Sequence, residues 1–391
     1  MTPLKILILG SSIAGVSAAE AAREKAPDSL ITILTEDAHL PYYRQRLCEV
    51  VQDPAAREKL LLHPEAWYQE RRIDLRLSQH VTQVDTKNKL VHLRGGETLP
   101  YDRLILATGS RSMVPPIPGA DLPGVETLWT MEDALRIEER LKTAQRCLVI
   151  GGGLLGLEAA HAFHARGHDS AILERMPRLM MRQLDERAAE IFTAQVEKEG
   201  SPVTTSAYIR EIYAGPDGRA AGVRLEDGSE FPADLILISA GVKARTEMLK
   251  DTGIAIDRCI VVDDHMRTNV PDVYAAGDCA VLDGKWYGLW LVAKNQGAVA
   301  GENAAGGDKA YAMQPPPYMV NTMGTHIASA GTIEEQDLSP EQIEQLFADI
   351  VDKSDQFQYY KKLYLGDRLS GFILLGDTKA FSSLNKELNK G

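Results

Sequence analysis

The chain has little of what marks a disulfide-bonded or nucleic-acid-binding protein. Its 391 residues include only four cysteines, which are far apart and form no C-x-x-C pair: Cys48, Cys147, Cys259 and Cys279. Neither a zinc knuckle nor a redox-active cysteine pair is therefore predicted. The net charge of -12 disfavours a surface for nucleic acid, because binding to phosphates needs a basic face.

Long apolar runs are also missing. No run reaches the length that spans a membrane, and the first fifteen residues lack the long apolar region and cleavage signal of a secretory peptide. We therefore expect a cytoplasmic protein without a membrane or nucleic-acid partner. Apolar content of 44% and charged content of 25% are ordinary for a globular enzyme, and the length suggests two or three domains.

The start of the chain reads as a strand, a glycine-containing loop and a helix. Residues 5–9 are apolar, residues 10–15 read G-S-S-I-A-G, and residues 16–25 are rich in alanine. This order is typical of a dinucleotide-binding module, in which the loop backbone and the helix N-terminus approach a pyrophosphate. A second strand at residues 30–34 is followed by Glu36, whose carboxylate can accept hydrogen bonds from a ribose diol.

Two features qualify this first module. Ser12 stands where the G-x-G-x-x-G fingerprint has its second glycine. The following segment, residues 37–48, is aromatic and basic, and Pro41 holds its start extended. Such a segment suits an anionic aromatic ligand, or it is a solvated surface loop.

The same plan occurs twice. Residues 89–93 and 101–107 flank Gly95-Gly96 and predict a hairpin that ends at A-T-G, and the proline-rich residues 114–119 predict a crossover. The repeat begins with a strand at 147–150, the full fingerprint at 151–156 and a helix that ends near Gly167. A strand at 171–173 then leads to Glu174, and a helix follows at 185–199. The repeat closes with a hairpin of residues 221–226 and 234–240, which ends at Ala240-Gly241. Two such modules at similar spacing indicate two dinucleotide sites.

A third segment completes the first module. Residues 268–278 predict a turn and a short strand that ends at Asp278, where ligands of open α/β sheets bind. A helix is expected at residues 291–305, with its N-terminus towards the ligand. After Pro315-Pro316-Pro317, strands at 358–365 and 370–375 and a final short helix are expected.

Four motifs make the chain resemble the two-dinucleotide-domain flavoprotein reductases of the pyridine nucleotide-disulfide oxidoreductase type. They are G-S-S-I-A-G, A-T-G-S, G-G-G-L-L-G-L-E and V-Y-A-A-G-D-C-A. Within that group, L-P-Y-Y-R-Q-R-L, W-Y-Q-E-R-R-I and the short C-terminal region are most similar to NADH:rubredoxin oxidoreductases. The flavin-domain portion of bacterial NAD(P)H nitrite reductases is also similar.

The resemblance implies an α/β fold of the glutathione-reductase type, with two nested Rossmann-like dinucleotide-binding domains and a small α+β C-terminal domain. It places the FAD-binding domain at 1–111 and 242–312, the NAD-binding domain at 112–241 and the C-terminal domain at 313–391. It also implies a monomer or a dimer, because the C-terminal domain forms dimers in larger relatives.

The resemblance also implies which residues contact FAD and NADH. FAD would contact Gly10, Ser12, Ala14 and Gly15 at its pyrophosphate, Glu36 at its adenosine ribose, Arg44 near its phosphates, Thr108 and Gly109 at the module junction, and Asp278 at its ribityl chain. NADH would contact Gly151, Gly153, Leu155 and Gly156 at its pyrophosphate, Glu174 at its ribose and Glu158, the catalytic candidate, near the nicotinamide amide. Glu174 favours NADH, since a carboxylate there repels a 2′-phosphate, while Arg175 keeps NADPH possible.

Three departures from the family pattern affect the function. The paired C-x-x-x-x-C of the disulfide-reducing members is absent, Cys48-Glu49 stands where related ferredoxin reductases have Ser-Lys, and the usual G-x-x-P-N is G-V-K-A-R at 241–245. No metal site is expected, because Gly167 would end the helix before His168 joins His161 and His164.

Three functions are compatible with this sequence. The first is an FAD-dependent NADH oxidoreductase that passes electrons to a small iron–sulfur carrier, rubredoxin or a ferredoxin. The second is an NADH oxidase or a disulfide or peroxide reductase that uses Cys48. The third is a flavin-bearing binding or regulatory module with negligible turnover.

Overall fold

The computed structural model describes residues 3–312 and 317–390. The helices of these ranges are α1 (Ile13–Lys25), α2 (Leu47–Gln52), α3 (Glu65–Glu70), α4 (Met131–Leu141), α5 (Leu154–Ala165), α6 (Glu186–Lys198), α7 (Trp290–Ala304), α8 (Pro340–Ile343) and α9 (Phe381–Leu388).

The strands of the same ranges are short. They are β1 (Lys5–Leu9), β2 (Leu30–Leu34), β3 (Ile73–Arg76), β4 (Val81–Asp85), β5 (Leu90–Leu93), β6 (Thr98–Pro100), β7 (Arg103–Leu106), β8 (Ser110–Ser112), β9 (Val125–Glu126), β10 (Arg146–Ile150), β11 (Asp169–Leu173), β12 (Val203–Thr204), β13 (Ile209–Ala214), β14 (Ala220–Leu225), β15 (Glu230–Pro232), β16 (Leu235–Ile238), β17 (Val242–Ala244), β18 (Ile256–Asp257), β19 (Cys259–Val262), β20 (Val273–Ala275), β21 (Ala280–Leu282), β22 (Tyr318–Thr322), β23 (Thr325–Gly331), β24 (Leu346–Lys353), β25 (Gln358–Leu365) and β26 (Arg368–Leu375).

The first glycine loop follows the central strand of a parallel sheet. The strand order is β20-β7-β1-β2-β3, and every pairing is parallel. β1 is buried at every residue except Lys5, the pattern of a strand that is covered on both faces. The loop therefore lies at the carboxyl end of this sheet, where ligands of open α/β sheets bind.

The second glycine loop lies in an equivalent sheet. Its order is β12-β11-β10-β16-β9, again with parallel pairings, so β10 lies between β11 and β16 as β1 lies between β2 and β7. The expected α/β fold with two Rossmann-type sheets is confirmed. The helix expected at 185–199 is present as α6, and Asp185 Oδ1 accepts a hydrogen bond from Ala188 N at 2.9 Å at its start.

The hairpins differ from the expectation in their second arms. β5 pairs with β6 and β14 pairs with β15, whereas residues 103–106 and 235–238 join the two parallel sheets as β7 and β16. The reason is burial: all of β16 and the last three residues of β7 are buried, and such apolar runs are stabilised between neighbours on both sides. The assignment of residues 101–107 and 234–240 as hairpin arms was wrong.

Two elements return the chain to the first sheet after the second module. β17 pairs with β8 in an antiparallel link, and β20 then joins β7 at the edge of the first sheet. α7 follows and packs closely along α1. A Cβ on Gly297 would lie 2.2 Å from Ala14 O, and a Cβ on Gly301 would lie 2.0 Å from Ala18 O, so only glycine permits this approach.

The C-terminal region forms an antiparallel sheet in the order β22-β23-β26-β25-β24, with α9 packed against β26 and β23. The two strands and the final helix expected here are confirmed. This sheet shares a hydrophobic core with α5 and α6, and Lys361 Nζ donates a hydrogen bond to the buried Asp185 at 2.8 Å. In the described residues, no helix is both long and apolar enough to cross a bilayer.

Candidate functional site

The backbone of the first loop lies very close to the end of β7 and to the start of α1. Gly10 has φ +109°, and a Cβ there would lie 2.0 Å from Ala107 O; a Cβ on Gly15 would lie 1.9 Å from Gly10 O. Ala14 is buried at the start of α1. The loop therefore turns tightly under the helix N-terminus and leaves the first backbone N–H groups of α1 for an anion.

Arg44 and Ser12, the two side chains expected near the FAD phosphates, are in contact at this loop. One guanidinium nitrogen donates to Ser12 Oγ at 3.2 Å and another donates to the carbonyl of Trp129. The guanidinium also lies over the Tyr42 ring, 5.3 Å from its centroid. Ser12 is the N-cap residue of α1, but its hydroxyl makes no capping bond and so faces Arg44.

Glu36 follows β2 at the carboxyl end of the first sheet and has two cationic or titratable neighbours. His80 Nδ1 lies 2.6 Å from Glu36 Oε1, and Arg245 pairs with Oε2. Neither His80 nor Arg245 was singled out from the sequence. The separation of 209 residues between Glu36 and Arg245 explains this for the arginine.

The junction residues are held by the returning chain. Thr108 Oγ1 donates to the carbonyl of Arg245 at 2.7 Å, and Arg245 N donates to the carbonyl of Gly109 at 3.0 Å. Gly109 has φ +66°, and no atom lies within 4 Å of where its Cβ would be. The backbone at Gly109 is thus open on one side.

Asp278 lies beyond β20 and is held by a residue that sequence reasoning missed. Ser110, which is buried, donates from Oγ to Asp278 Oδ2 at 2.8 Å. Burial raises the pKa of Asp278, while this hydrogen bond and the Arg44 charge lower it. One carboxylate oxygen therefore keeps its acceptor capacity for a ligand hydroxyl.

The second loop repeats the geometry of the first. A Cβ on Gly151 would lie 2.2 Å from Ser239 O, and a Cβ on Gly156 would lie 2.0 Å from Gly151 O. Gly153 is the N-cap of α5 and is open where its Cβ would be, and Leu155 lies half-buried in the first turn. Gly151, Gly153, Leu155 and Gly156 therefore lie together in the turn between β10 and α5, as the fingerprint predicts.

Glu174 lies against the second loop. Its Oε2 accepts from Gly152 N at 2.5 Å and its Oε1 accepts from Met176 N at 2.7 Å. Each oxygen keeps a lone pair, so the carboxylate can both hold the loop and accept from a ribose hydroxyl.

Glu158 lies on α5, half-buried, in a group of titratable side chains. Burial first, and the charge of Glu49 second, raise the pKa of Glu158 to about 7. Cys48 is buried nearby, where burial, Glu158 and Glu49 all raise the pKa of the thiol. Tyr318 also interacts with Glu158, and its buried hydroxyl has no hydrogen-bond partner among the described residues. Glu158 thus titrates near neutral pH, and Cys48 is a protonated thiol.

Within residues 3–312 and 317–390, two side-chain groups have the composition of a metal site. They are Asp37, His39 and Glu132, and Asp263, Asp264 and His265. In the first, Asp37 accepts from the Tyr42 hydroxyl at 2.9 Å and His39 Nε2 lies 3.1 Å from Glu132 Oε1, so these ligand atoms already have protein partners. The second is exposed or half-exposed, and His265 contacts Asp264 and Asp308 there. Neither contains His161, His164 or His168.

Two family models match the chain. The model described as pyridine nucleotide-disulphide oxidoreductase matches residues 4–297, and the model described as the rubredoxin NAD+ reductase C-terminal domain matches residues 316–391. Together they cover both parallel sheets and the C-terminal sheet.

Several known proteins are similar along the chain. The NADH-rubredoxin oxidoreductase of Clostridium acetobutylicum is 32% identical over 389 residues, which cover 100% of this chain and 95% of that protein. Its crystal structure matches 100% of this chain and 96% of that chain with a TM-score of 0.83. The structure of an NAD-dependent persulfide reductase from A. fulgidus has a TM-score of 0.90 at 27% identity and covers 99% of this chain and 77% of that chain.

A longer protein is also similar. The NAD(P)H nitrite reductase of Bacillus subtilis is 34% identical over 390 residues, which cover 98% of this chain and 47% of that protein. The chain therefore spans about half the length of this relative. Since the first family model covers most of the chain and the Clostridium relative matches from end to end, the chain belongs to the pyridine nucleotide-disulphide oxidoreductase family.

Proposed function

We propose that the protein is an FAD-dependent NADH oxidoreductase that passes electrons through the flavin to a small iron–sulfur electron carrier, with rubredoxin as the first candidate. The observation that supports this most is the pair of glycine loops in equivalent parallel sheets, in a chain whose four cysteines are all buried and unpaired. Because the chain has no cysteine pair that could accept electrons as a disulfide, the electrons have to leave the flavin for an external acceptor. The end-to-end similarity to an NADH-rubredoxin oxidoreductase supports the same class of acceptor.

The family binds FAD and NADH, and the first module fits FAD. A Cβ on Gly10 or Gly15 would collide with a backbone oxygen, so only glycine permits the tight turn that puts this loop under the start of α1. The first backbone N–H groups of α1 can then donate to a pyrophosphate. We assign FAD to 1–111 and 242–312, with its pyrophosphate at Gly10, Ser12, Ala14 and Gly15, its adenosine ribose at Glu36, its phosphates near Arg44, its junction contacts at Thr108 and Gly109 and its ribityl chain at Asp278.

The second module fits NADH in the same way. We assign it to 112–241, with the pyrophosphate at Gly151, Gly153, Leu155 and Gly156, the ribose at Glu174 and the nicotinamide amide near Glu158. The C-terminal domain is assigned to 313–391. A carboxylate at Glu174 that already holds Gly152 N favours a free 2′-hydroxyl over a 2′-phosphate.

When bound, the flavin supplies the redox chemistry that accepts a hydride and releases single electrons. The chain's part is to bind and orient the two nucleotides, so that the reacting atoms are close and aligned. Glu158 adds a titratable charge: above pH 7 its ionised carboxylate favours the positive charge that the nicotinamide gains as NADH is oxidised.

The acceptor would bind where aromatic and cationic side chains alternate beside the start of α7. Tyr43 stacks on Trp290 with 5.8 Å between ring centroids, and Lys294 Nζ lies 5.7 Å from the Trp290 centroid. Arg71 lies 4.3 Å from the centroid of Trp67. Lys294 and Arg71 make no ion pair among the described residues, so both are available to the carboxylates of an acidic carrier, which would steer its approach.

An oxidase or reductase that works through Cys48 is disfavoured. Burial raises the pKa of this thiol, whereas a reactive cysteine needs an accessible thiolate. A regulatory flavoprotein with negligible turnover has no observation in its favour. The cytoplasmic location and the oligomeric state stay predictions.

The test is an acceptor panel in which rubredoxin and ferredoxin are offered under anaerobic conditions and oxygen consumption is measured in a separate aerobic assay. We expect NADH to bleach the flavin and the reduced protein to bleach rubredoxin absorbance far faster than it consumes oxygen. Rapid flavin bleaching with no reduction of any rubredoxin or ferredoxin would contradict the carrier class. A Cys48→Ser variant with unchanged turnover would exclude the cysteine mechanism.

A further inference from the structure

The chain crosses back from the second module to the first through β17, and the residue after β17 is Arg245. The segment that ends there reads Lys243-Ala244-Arg245. The Arg245 side chain pairs with Glu36 Oε2 and is 34% exposed, while that of Glu36 is 31% exposed. The pair is thus at the open carboxyl end of β2 and not in the core.

The backbone of Arg245 is fixed by the same turn that is assigned to FAD. Its N–H donates to the carbonyl of Gly109 at 3.0 Å, and its carbonyl accepts from Thr108 Oγ1 at 2.7 Å. Ala244, the residue before it, pairs with Ser110 in the link between β8 and β17. The guanidinium therefore extends towards Glu36 from a fixed backbone position.

A third segment of the chain also contacts Glu36. His80, which follows β3, places Nδ1 2.6 Å from Glu36 Oε1, so each carboxylate oxygen has one donor. A carboxylate has about four lone-pair sites, and the remaining two can accept from a ribose diol.

We propose that Arg245 is a further FAD-binding residue, which closes the adenosine end of the cofactor site by holding Glu36 towards the ribose and by offering its planar guanidinium to the adenine. The adenine ring is an aromatic face of the kind on which arginine stacks. An exposed ion pair without a ligand would instead be worth almost nothing to the protein. The inference rests on the assignment of FAD to the first loop.

The test compares FAD with FMN, which lacks the adenosine half. The full-length chain is stripped of flavin and titrated with each by fluorescence. In Arg245→Ala we expect binding of FAD to weaken about tenfold or more, the loss of one charge-assisted contact, while that of FMN stays unchanged. Arg245→Lys keeps the charge without the planar fork and should recover only part of the loss. Lys243→Ala, at an exposed position of β17 two residues before Arg245, is the matched control and should bind both flavins normally.

A double-mutant cycle with Glu36→Gln tests the coupling. If Arg245 acts on the ribose through Glu36, the two losses are less than additive. Unchanged FAD affinity in Arg245→Ala, or an equal loss for FAD and FMN, would overturn the proposal. The temperature at which the holoenzyme releases flavin provides a second measurement, and it should fall in Arg245→Ala but not in Lys243→Ala. Failure of the unmodified chain to bind FAD would instead contradict the proposed function itself.

Discussion

Arg44 donates a hydrogen bond to Ser12 Oγ at 3.2 Å, so the side chain that replaces the second glycine of the first loop is held by a cation from the segment at 37–48. A second guanidinium nitrogen donates to the carbonyl of Trp129, in the chain just before α4. Arg44 thus stays at the loop through two contacts, and only one of them needs the serine. The segment at 37–48 therefore contacts the first loop and, with Tyr42 and Leu47 buried, is not a solvated loop.

Ser12→Gly should bind FAD as tightly as the unmodified chain or more tightly. Trp129 still holds Arg44, and glycine lets the backbone approach the phosphate at least as closely. Arg44→Ala, in contrast, should weaken FAD binding about tenfold because a charge-assisted contact is lost. Flavin fluorescence titration measures both. A clear loss of FAD in Ser12→Gly would show that the hydroxyl is itself a phosphate ligand.

Glu158→Gln should change how stability depends on pH. Burial and then the Glu49 charge raise the pKa of Glu158 to about 7 from the model-compound value of 4.5. The folded state therefore binds this proton more tightly than the unfolded chain, and the free energy of unfolding falls as the pH rises through this interval. Glutamine has no charge to bury, so the variant should be more stable at pH 8 by about 1–3 kcal/mol, and the two proteins should be nearly equally stable at about pH 4, below the unfolded pKa.

Urea denaturation at the two pH values measures this difference. Glu49→Gln removes the neighbouring charge that also raises the pKa of Glu158. The fall in the free energy of unfolding should therefore end at a lower pH in this variant. Equal stability of Glu158→Gln and the unmodified chain at pH 8 would contradict a raised pKa.

Glu174→Ser should weaken the preference for NADH over NADPH. Removing the carboxylate removes its repulsion of a 2′-phosphate, and the ratio of kcat/KM for the two coenzymes should shift towards NADPH by about tenfold. The ratio is the informative readout, because the lost bond to Gly152 N affects both coenzymes alike. Arg175→Ala should lower NADPH use alone. An unchanged ratio in Glu174→Ser would mean that the 2′-position of the coenzyme ribose does not lie beside Glu174.

The repeated modules could be predicted from the sequence because their signals are local. A short apolar run before a glycine loop specifies a buried strand and a tight turn, and both sheets have these features in the expected order. The hairpin arms at 101–107 and 234–240 were assigned wrongly because a short apolar run has the same pattern in a hairpin and in a parallel sheet. Pairs such as Ser110–Asp278 and Glu36–Arg245, 168 and 209 residues apart, depend on the tertiary fold and have no local signal.

Reversing the charge of Lys294 or Arg71 should slow reduction of the carrier protein and leave reduction of the flavin by NADH unchanged. Each Lys294→Glu or Arg71→Glu change should raise KM for rubredoxin about tenfold at low salt, and the difference should shrink at high salt because screening weakens the attraction. NADH-dependent reduction of ferricyanide, a small acceptor, should stay unchanged. Lys386→Glu on α9 is the control for net charge. Equal effects of Lys386→Glu and Lys294→Glu would mean that overall charge, not this surface, attracts the carrier.

Gly301→Ala should destabilise the protein, although alanine is the better helix former. In an exposed helix this change would gain about 1 kcal/mol, but here the new Cβ would lie 2.0 Å from Ala18 O on α1, and separating the helices should cost about 1–3 kcal/mol. Gly297→Ala would press on Ala14 O, next to the first loop, so it should also weaken FAD binding more than Gly301→Ala does. Asn295→Ala, at an exposed position of α7, should leave both properties nearly unchanged. Urea denaturation and FAD titration of the three variants distinguish helix packing from helix propensity: a stabilised Gly301→Ala would contradict the close contact between α1 and α7.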